Sequence, residues 1–145
     1  MNAYDWDDMN YFKNNEFKNP DKMNYSLIYA LDKLRDFVGV QIKIHCDYEL
    51  RSNNKSQHNF GNAVDCSASG ISLLDFYLAA ERFNIFTGIG IYTWWSTPGL
   101  HLDCRDIGNQ YNARWGCESK GKYLKIDTDF FKRNISVLMN AKMLL

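Results

Sequence analysis

At 145 residues, 46% of them hydrophobic, the chain can bury one core but hardly two, so a single domain spanning 1–145 is expected. Seventeen basic residues balance seventeen acidic ones, and this zero formal charge supplies no bulk attraction to nucleic acid or to an anionic membrane. No apolar run approaches the roughly 20 residues that cross a bilayer, and the start of the chain is acidic where a secretory leader is basic and then apolar, so the sequence reads as soluble, leaderless and monomeric.

Residues 1–22 read as an irregular arm with a short helical piece at 14–17, pinned to the body by Tyr11 and Phe12. From 24 to 38 the residues Leu27, Ile28, Leu31, Leu34, Phe37 and Val38 recur at helical spacing, and Gly39 supplies the stop. Residues 40–46 alternate Val40, Ile42 and Ile44 against Gln41, Lys43 and His45, the pattern of a half-buried strand. The polar run 47–54 suits neither a core strand nor an amphipathic helix and is expected to be a loop. A strand at 62–66 and a turn at 67–70 follow, and Ser72 with Asp75 at capping-box spacing opens a helix to about residue 83. Residues 88–92 and 100–105 read as paired strands joined by a turn at 94–99, and Phe130, Phe131, Ile135, Leu138 and Met139 make a closing helix from 127 or 128 onward. Helices before, between and after short strands predict an α+β fold: a small antiparallel sheet flanked by three helices.

Histidine occurs three times, and two of the three lie in suggestive surroundings, Ser56-Gln57-His58-Asn59-Phe60-Gly61-Asn62-Ala63-Val64-Asp65 and His101-Leu102-Asp103. A lone strand histidine is ordinarily a hydrogen-bonded surface or core residue. Two imidazoles and a carboxylate together offer zinc two nitrogens and one oxygen and leave the fourth position to water, the pattern that separates a catalytic site from a closed structural one. His45 falls on the polar face of the first strand, bordering the cleft or simply exposed. The four cysteines form no CxxC pair. If Asp65 and Asp103 face the cleft, strand alternation sends Cys66 and Cys104 the other way, so buried reduced thiols are expected rather than disulfides or metal ligands.

The run Ser-x-His-x-x-Gly-x-Ala-x-Asp, followed by His-x-Asp, resembles the M15 family of zinc D-Ala-D-Ala carboxypeptidases and peptidoglycan endopeptidases, which share their fold with the hedgehog signalling domain. Ser56, His58, Gly61, Ala63 and Asp65 stand in register. Tyr11-Phe12, Glu16-Phe17, the helix before Gly39, Gly88-Ile89-Gly90-Ile91-Tyr92 and Ala113-Arg114-Trp115-Gly116 look like further landmarks of the family and extend the resemblance over most of the chain. It implies one Zn2+ held by His58, Asp65 and His101, and hydrolysis of an amide bond in the stem peptide or cross-bridge of peptidoglycan. In that chemistry the metal polarises the carbonyl and acidifies its water, while a carboxylate moves the proton to the leaving amine. A leaderless version suggests a phage lysis enzyme or virion-associated lysin, present in the host cytoplasm before lysis.

The sequence departs from the family pattern at two places. The family places an acidic residue three positions before the second histidine; Pro98 stands there, and no Asp or Glu occurs between Arg82 and His101. Asp103, two residues along a strand from His101, is then either the general base or a carboxylate that orients the imidazole, with Glu49 and Asp47 next in line. Where the family has Ser-Gly-Tyr-Arg, this chain has Cys46-Asp47-Tyr48-Glu49, so a substrate-carboxylate clamp falls to Arg51. Ser56, Tyr92, Trp94 and Trp95 complete the candidate substrate contacts, the aromatic residues serving as binding planes or as packing. The alternative function is a catalytically inactive metal-binding module of the same fold, serving in wall binding or virion structure. A hedgehog-like interaction domain is a third reading, weakened by the missing leader.

Overall fold

The structure, a computed structural model, describes residues 1–141. It is an α+β fold built on one six-stranded sheet: β1 (Ile42–Cys46), β2 (Ala63–Ala68), β3 (Gly88–Tyr92), β4 (Gly99–Asp103), β5 (Ala113–Ser119) and β6 (Lys122–Leu124), in the order β1-β2-β4-β3-β5-β6. The sheet is mixed, where sequence reasoning expects an antiparallel one, because β3 and β5 run parallel. The connection accounts for it: β4 ends with Asp103 beside Gly88, and the chain crosses a single strand to re-enter at Ala113, which pairs with the same glycine.

Helix α1 (Ala3–Trp6) belongs to the N-terminal arm, which also carries single 3-10 turns at Asn14–Glu16 and Pro20–Lys22. Helix α2 (Tyr25–Val38) begins where the Asn24 side chain accepts from the backbone N–H groups of Ser26 and Leu27, and it buries Leu27, Ile28, Leu31 and Leu34 completely. Phe37 lies half-exposed on its outer face, under the guanidinium of Arg82. Asp32, on the inner face of α2, is buried, and its carboxylate accepts the N–H groups of Asn10, Tyr11 and Phe12, each at 2.9 Å. That contact fastens the arm and lets Phe12 enter the core, while Tyr11 turns outward to bond Asp36.

Helix α3 (Leu73–Ala80) is capped by Ser72, whose hydroxyl accepts from the Asp75 N–H at 3.0 Å. The closing segment is two helices, α4 (Thr128–Arg133) and α5 (Ile135–Met139). Asn134 interrupts them because its side chain is committed to tertiary bonds: it accepts from the Thr93 hydroxyl at 2.7 Å and donates to Glu118 at 2.8 Å. Residues Val64, Cys66, Ile89, Ile91, Leu100 and Leu102 are fully buried and form the sheet's contribution to a core shared with α2, α3 and the closing pair. Alternation then leaves Asp65, His101 and Asp103 for the opposite face. No helix among the described residues is long and apolar enough to cross a membrane.

Candidate metal centre

Cross-strand register assembles the middle of the site. Asp65 on β2, His101 on β4, Gly90 on β3 and Trp115 on β5 stand directly opposite one another in a row across four strands. Directly paired residues share a face, so the carboxylate and the imidazole meet: His101 Nδ1 is 3.1 Å from Asp65 Oδ1. The indole of Trp115 lies over Gly90, where an added Cβ would come within 2.5 Å of it, and packs against the His101 ring at a centroid distance of 5.2 Å. The glycine thus makes room for the ring that backs the histidine.

His58 arrives from a 3-10 turn, Gln57–Phe60, that closes on Gly61. Gly61 has φ of 70°, and a Cβ there would lie 1.9 Å from the Lys22 carbonyl oxygen, which accounts for the glycine in the motif. His58 is 1% exposed. Its Nδ1 lies 2.8 Å from the Asp47 carbonyl oxygen, and since a carbonyl only accepts, Nδ1 carries the hydrogen. Nε2 therefore points inward, 3.4 Å from Asp65 Oδ1 without a hydrogen bond, a buried polar atom left orphaned.

Asp103 stands behind His101. Its Oδ2 is 2.7 Å from Nε2, the ring nitrogen remote from Asp65, and Arg105 donates from Nε to Oδ1 at 2.9 Å and from Nη2 to Oδ2 at 2.6 Å. With no exposure at all, this carboxylate has the geometry of an imidazole-orienting group. Asp47 is buried as well and is occupied by the backbone N–H of Asn19 at 2.8 Å. Glu49 remains on the solvent side of the site, its side chain 55% exposed and held by Arg51 at 3.1 Å.

A β-bulge brings in a group that sequence reasoning turned the wrong way. The β1–β2 register slips between Ile44 and Cys46, so that Cys46 rather than His45 opposes Asp65. Cys46 consequently faces the site and not the core: its Sγ is 3.7 Å from His58 Nδ1, 3.1 Å from Glu49 Oε2 and 3.4 Å from Arg51 Nη2. One ligand atom from each of Cys46, His58 and Asp65 lies within 4.8 Å of the others. All four cysteines are unpaired thiols, with Cys66 and Cys117 buried and Cys104 packed at the edge of the core.

Of the expected substrate contacts, Trp94 and Trp95 line a groove of about 340 Å³ together with His45, Cys46, Asp65, Ser96 and Thr97. Trp95 stacks on Tyr92 at 4.2 Å, while Trp94 is exposed. The Tyr92 hydroxyl accepts from the Trp115 indole N–H at 3.0 Å, and His45 reaches Ser67 at 2.7 Å. Arg51 sits at the rim, 3.9 Å from Asp65. Ser56 serves as the entry residue of the His58 turn and makes no side-chain cap.

Electrostatically the site is set for a cation. Burial alone would lower the His58 imidazole, but the Asp65 carboxylate and the Cys46 sulfur together outweigh it and raise the group to about 9. His101 is likewise depressed by burial and raised overall by Asp103 and Asp65. Burial pushes both carboxylates up, yet the imidazoles, and Arg105 at Asp103, hold them well below the usual carboxylate range. The His58 and His101 nitrogens stand at 3.4 and 3.1 Å from the same Asp65 oxygen, and the donor atoms that lie within 4.8 Å of one another are those of Cys46, His58 and Asp65. With each ring fixed from behind by a carbonyl or carboxylate, the residues present could hold a metal ion. Comparisons with protein-family models, with curated proteins and with solved structures find no match.

Proposed function

We propose that the chain is a zinc-dependent amide hydrolase acting on the peptide part of peptidoglycan. The observation that carries the metal half of this reading is the orphaned Nε2 of His58, converging with His101 Nδ1 on one oxygen of Asp65 while both rings are oriented from outside the site. The substrate half rests on the resemblance of the His58 and His101 motifs to the zinc D-Ala-D-Ala carboxypeptidases and endopeptidases.

Bound there, zinc would supply a Lewis acid and a water acidified to near pH 7. His58, Asp65 and His101 would hold it, and Asp103, clamped by Arg105, keeps the His101 ring turned. Glu49 is the carboxylate on the solvent side, and in this reading it takes the proton-moving role while Asp103 holds His101. Arg51 supplies positive charge at the rim for a peptide carboxylate, and the groove walled by Trp94 and Trp95 receives the chain beside the cleaved bond.

Purified protein incubated with peptidoglycan, with and without chelator, is expected to release new amino termini, identified by mass spectrometry, only when metal is present. One observation favours a second reading, a metal-binding wall or virion module without activity: Pro98 stands where the family has its acidic residue. Zinc bound stoichiometrically by protein that releases nothing from any peptidoglycan would select that reading.

A further inference from the structure

We infer that Cys46 is a fourth ligand of the metal centre, a thiolate that closes the resting site and must leave before water can enter. The inference rests on the proposed metal centre and concerns what occupies its remaining position. Three observations carry it. The β1 bulge opposes Cys46 to Asp65 and turns it onto the site face, where an uninterrupted strand would have sent it to the core. Its sulfur already lies within 4.8 Å of ligand atoms of both His58 and Asp65. The sulfur contacts the His58 ring at Nδ1, 3.7 Å away, and the other ring nitrogen, Nε2, is buried 3.4 Å from Asp65 without a hydrogen-bond partner.

The closure required is small. With a zinc–sulfur bond of about 2.3 Å, a sulfur and an oxygen donor on the same ion stand about 3.5 Å apart, against the 4.8 Å within which the Cys46, His58 and Asp65 ligand atoms now lie. In the present position the thiol donates to Glu49 Oε2 and receives Arg51 Nη2, so the Glu49–Arg51 pair at the rim is the counterweight that holds it outward. On coordination the S–H bond breaks, its proton passes to solvent, a zinc–sulfur bond forms and the metal's water departs. Thiolate is a soft donor, and its presence shifts the site from hard oxygen chemistry toward zinc and cobalt.

Cobalt(II) loaded in place of zinc gives the test. The wild-type protein is expected to show visible d–d bands together with a sulfur-to-cobalt charge-transfer band in the near ultraviolet. Cys46→Ser should keep the d–d bands and lose the charge-transfer band, while Cys104→Ser, a thiol away from the centre, should retain both. Alkylation of Cys46, mapped by peptide mass, should be slowed by zinc in the wild type. Wild-type d–d bands without charge transfer, or a charge-transfer band that survives Cys46→Ser, would overturn the inference and leave the metal centre standing. Absence of all cobalt bands would remove the metal centre and the inference together.

Discussion

The buried carboxylate of Asp103 lies between an imidazole and a guanidinium, and its value to the site depends on which face of His101 it touches. By holding Nε2 it commits Nδ1 to Asp65, and Arg105 keeps the carboxylate from turning away. Replacing Asp103 with Asn preserves shape but removes the charge that favours this orientation, so Asp103→Asn is expected to weaken zinc binding about 10- to 100-fold. Competition against a chromophoric chelator measures it, and an unchanged affinity would end the orienting role. Strand alternation already puts residues 101 and 103 on one face, so the neighbourhood of these two groups is legible in the sequence. Which ring nitrogen Asp103 meets is not, since both rotations of the imidazole satisfy the same spacing. Arg105 carries the same parity signal, two residues further along, and could have been read from it.

Among the elements, β3 and β1 shape the centre by what they leave out and put in. The two glycines of β3 flank a site whose larger groups come from neighbouring strands: Asp103 occupies the space over Gly88, and Trp115 that over Gly90. A methyl group at position 90 would meet the indole of Trp115 at 2.5 Å and the Tyr92 ring at 2.7 Å. Gly90→Ala is therefore expected to cost about 1–3 kcal/mol of stability by overpacking and to loosen the packing behind His101, lowering zinc affinity at the same time. Denaturant unfolding and the chelator assay check the two effects, and a variant as stable as the parent would show that Trp115 has room to move. On β1 the reading fails at a single residue. The apolar alternation of Ile42 and Ile44 is real, but the bulge adds a residue opposite Asp65, and no composition signal marks it because the cause is pairing with β2. The closing helix fails for a similar reason: its periodicity continues through Asn134, whose bonds to Thr93 and Glu118 are made across the fold.

For the whole molecule, the metal-free protein holds two imidazoles facing a carboxylate, and this arrangement makes its stability depend on pH. His58 and His101 are raised above the ordinary imidazole value of 6.5, so their contribution is fully present below 6.5 and is lost as pH rises through their folded values, about 9 for His58. Asp65 and Asp103 are lowered, and their contribution fails only in acid, below the usual carboxylate range. In chelator the melting temperature is expected to fall between pH 6.5 and about 9, while the stabilisation given by zinc grows over that window, because the metal displaces the protons it competes with. A flat melting temperature for the chelated protein across that range would show that the imidazoles are not held as cations. Taken by itself, the sequence determined the α+β class, the helix at 24–38 with its Gly39 stop and the core faces of the central strands, all of which follow from periodicity and local chemistry, which are properties of neighbouring residues; the pairing of a histidine turn with a His-x-Asp strand was what the family resemblance implied. Tertiary structure alone decided the parallel β3–β5 pair, the arm fastened by Asp32, the burial of Asp47 and Asp103, and the entry of Cys46 into the site. Each of these depends on register or on a bond between residues far apart in the chain, and local pattern carries no information about register.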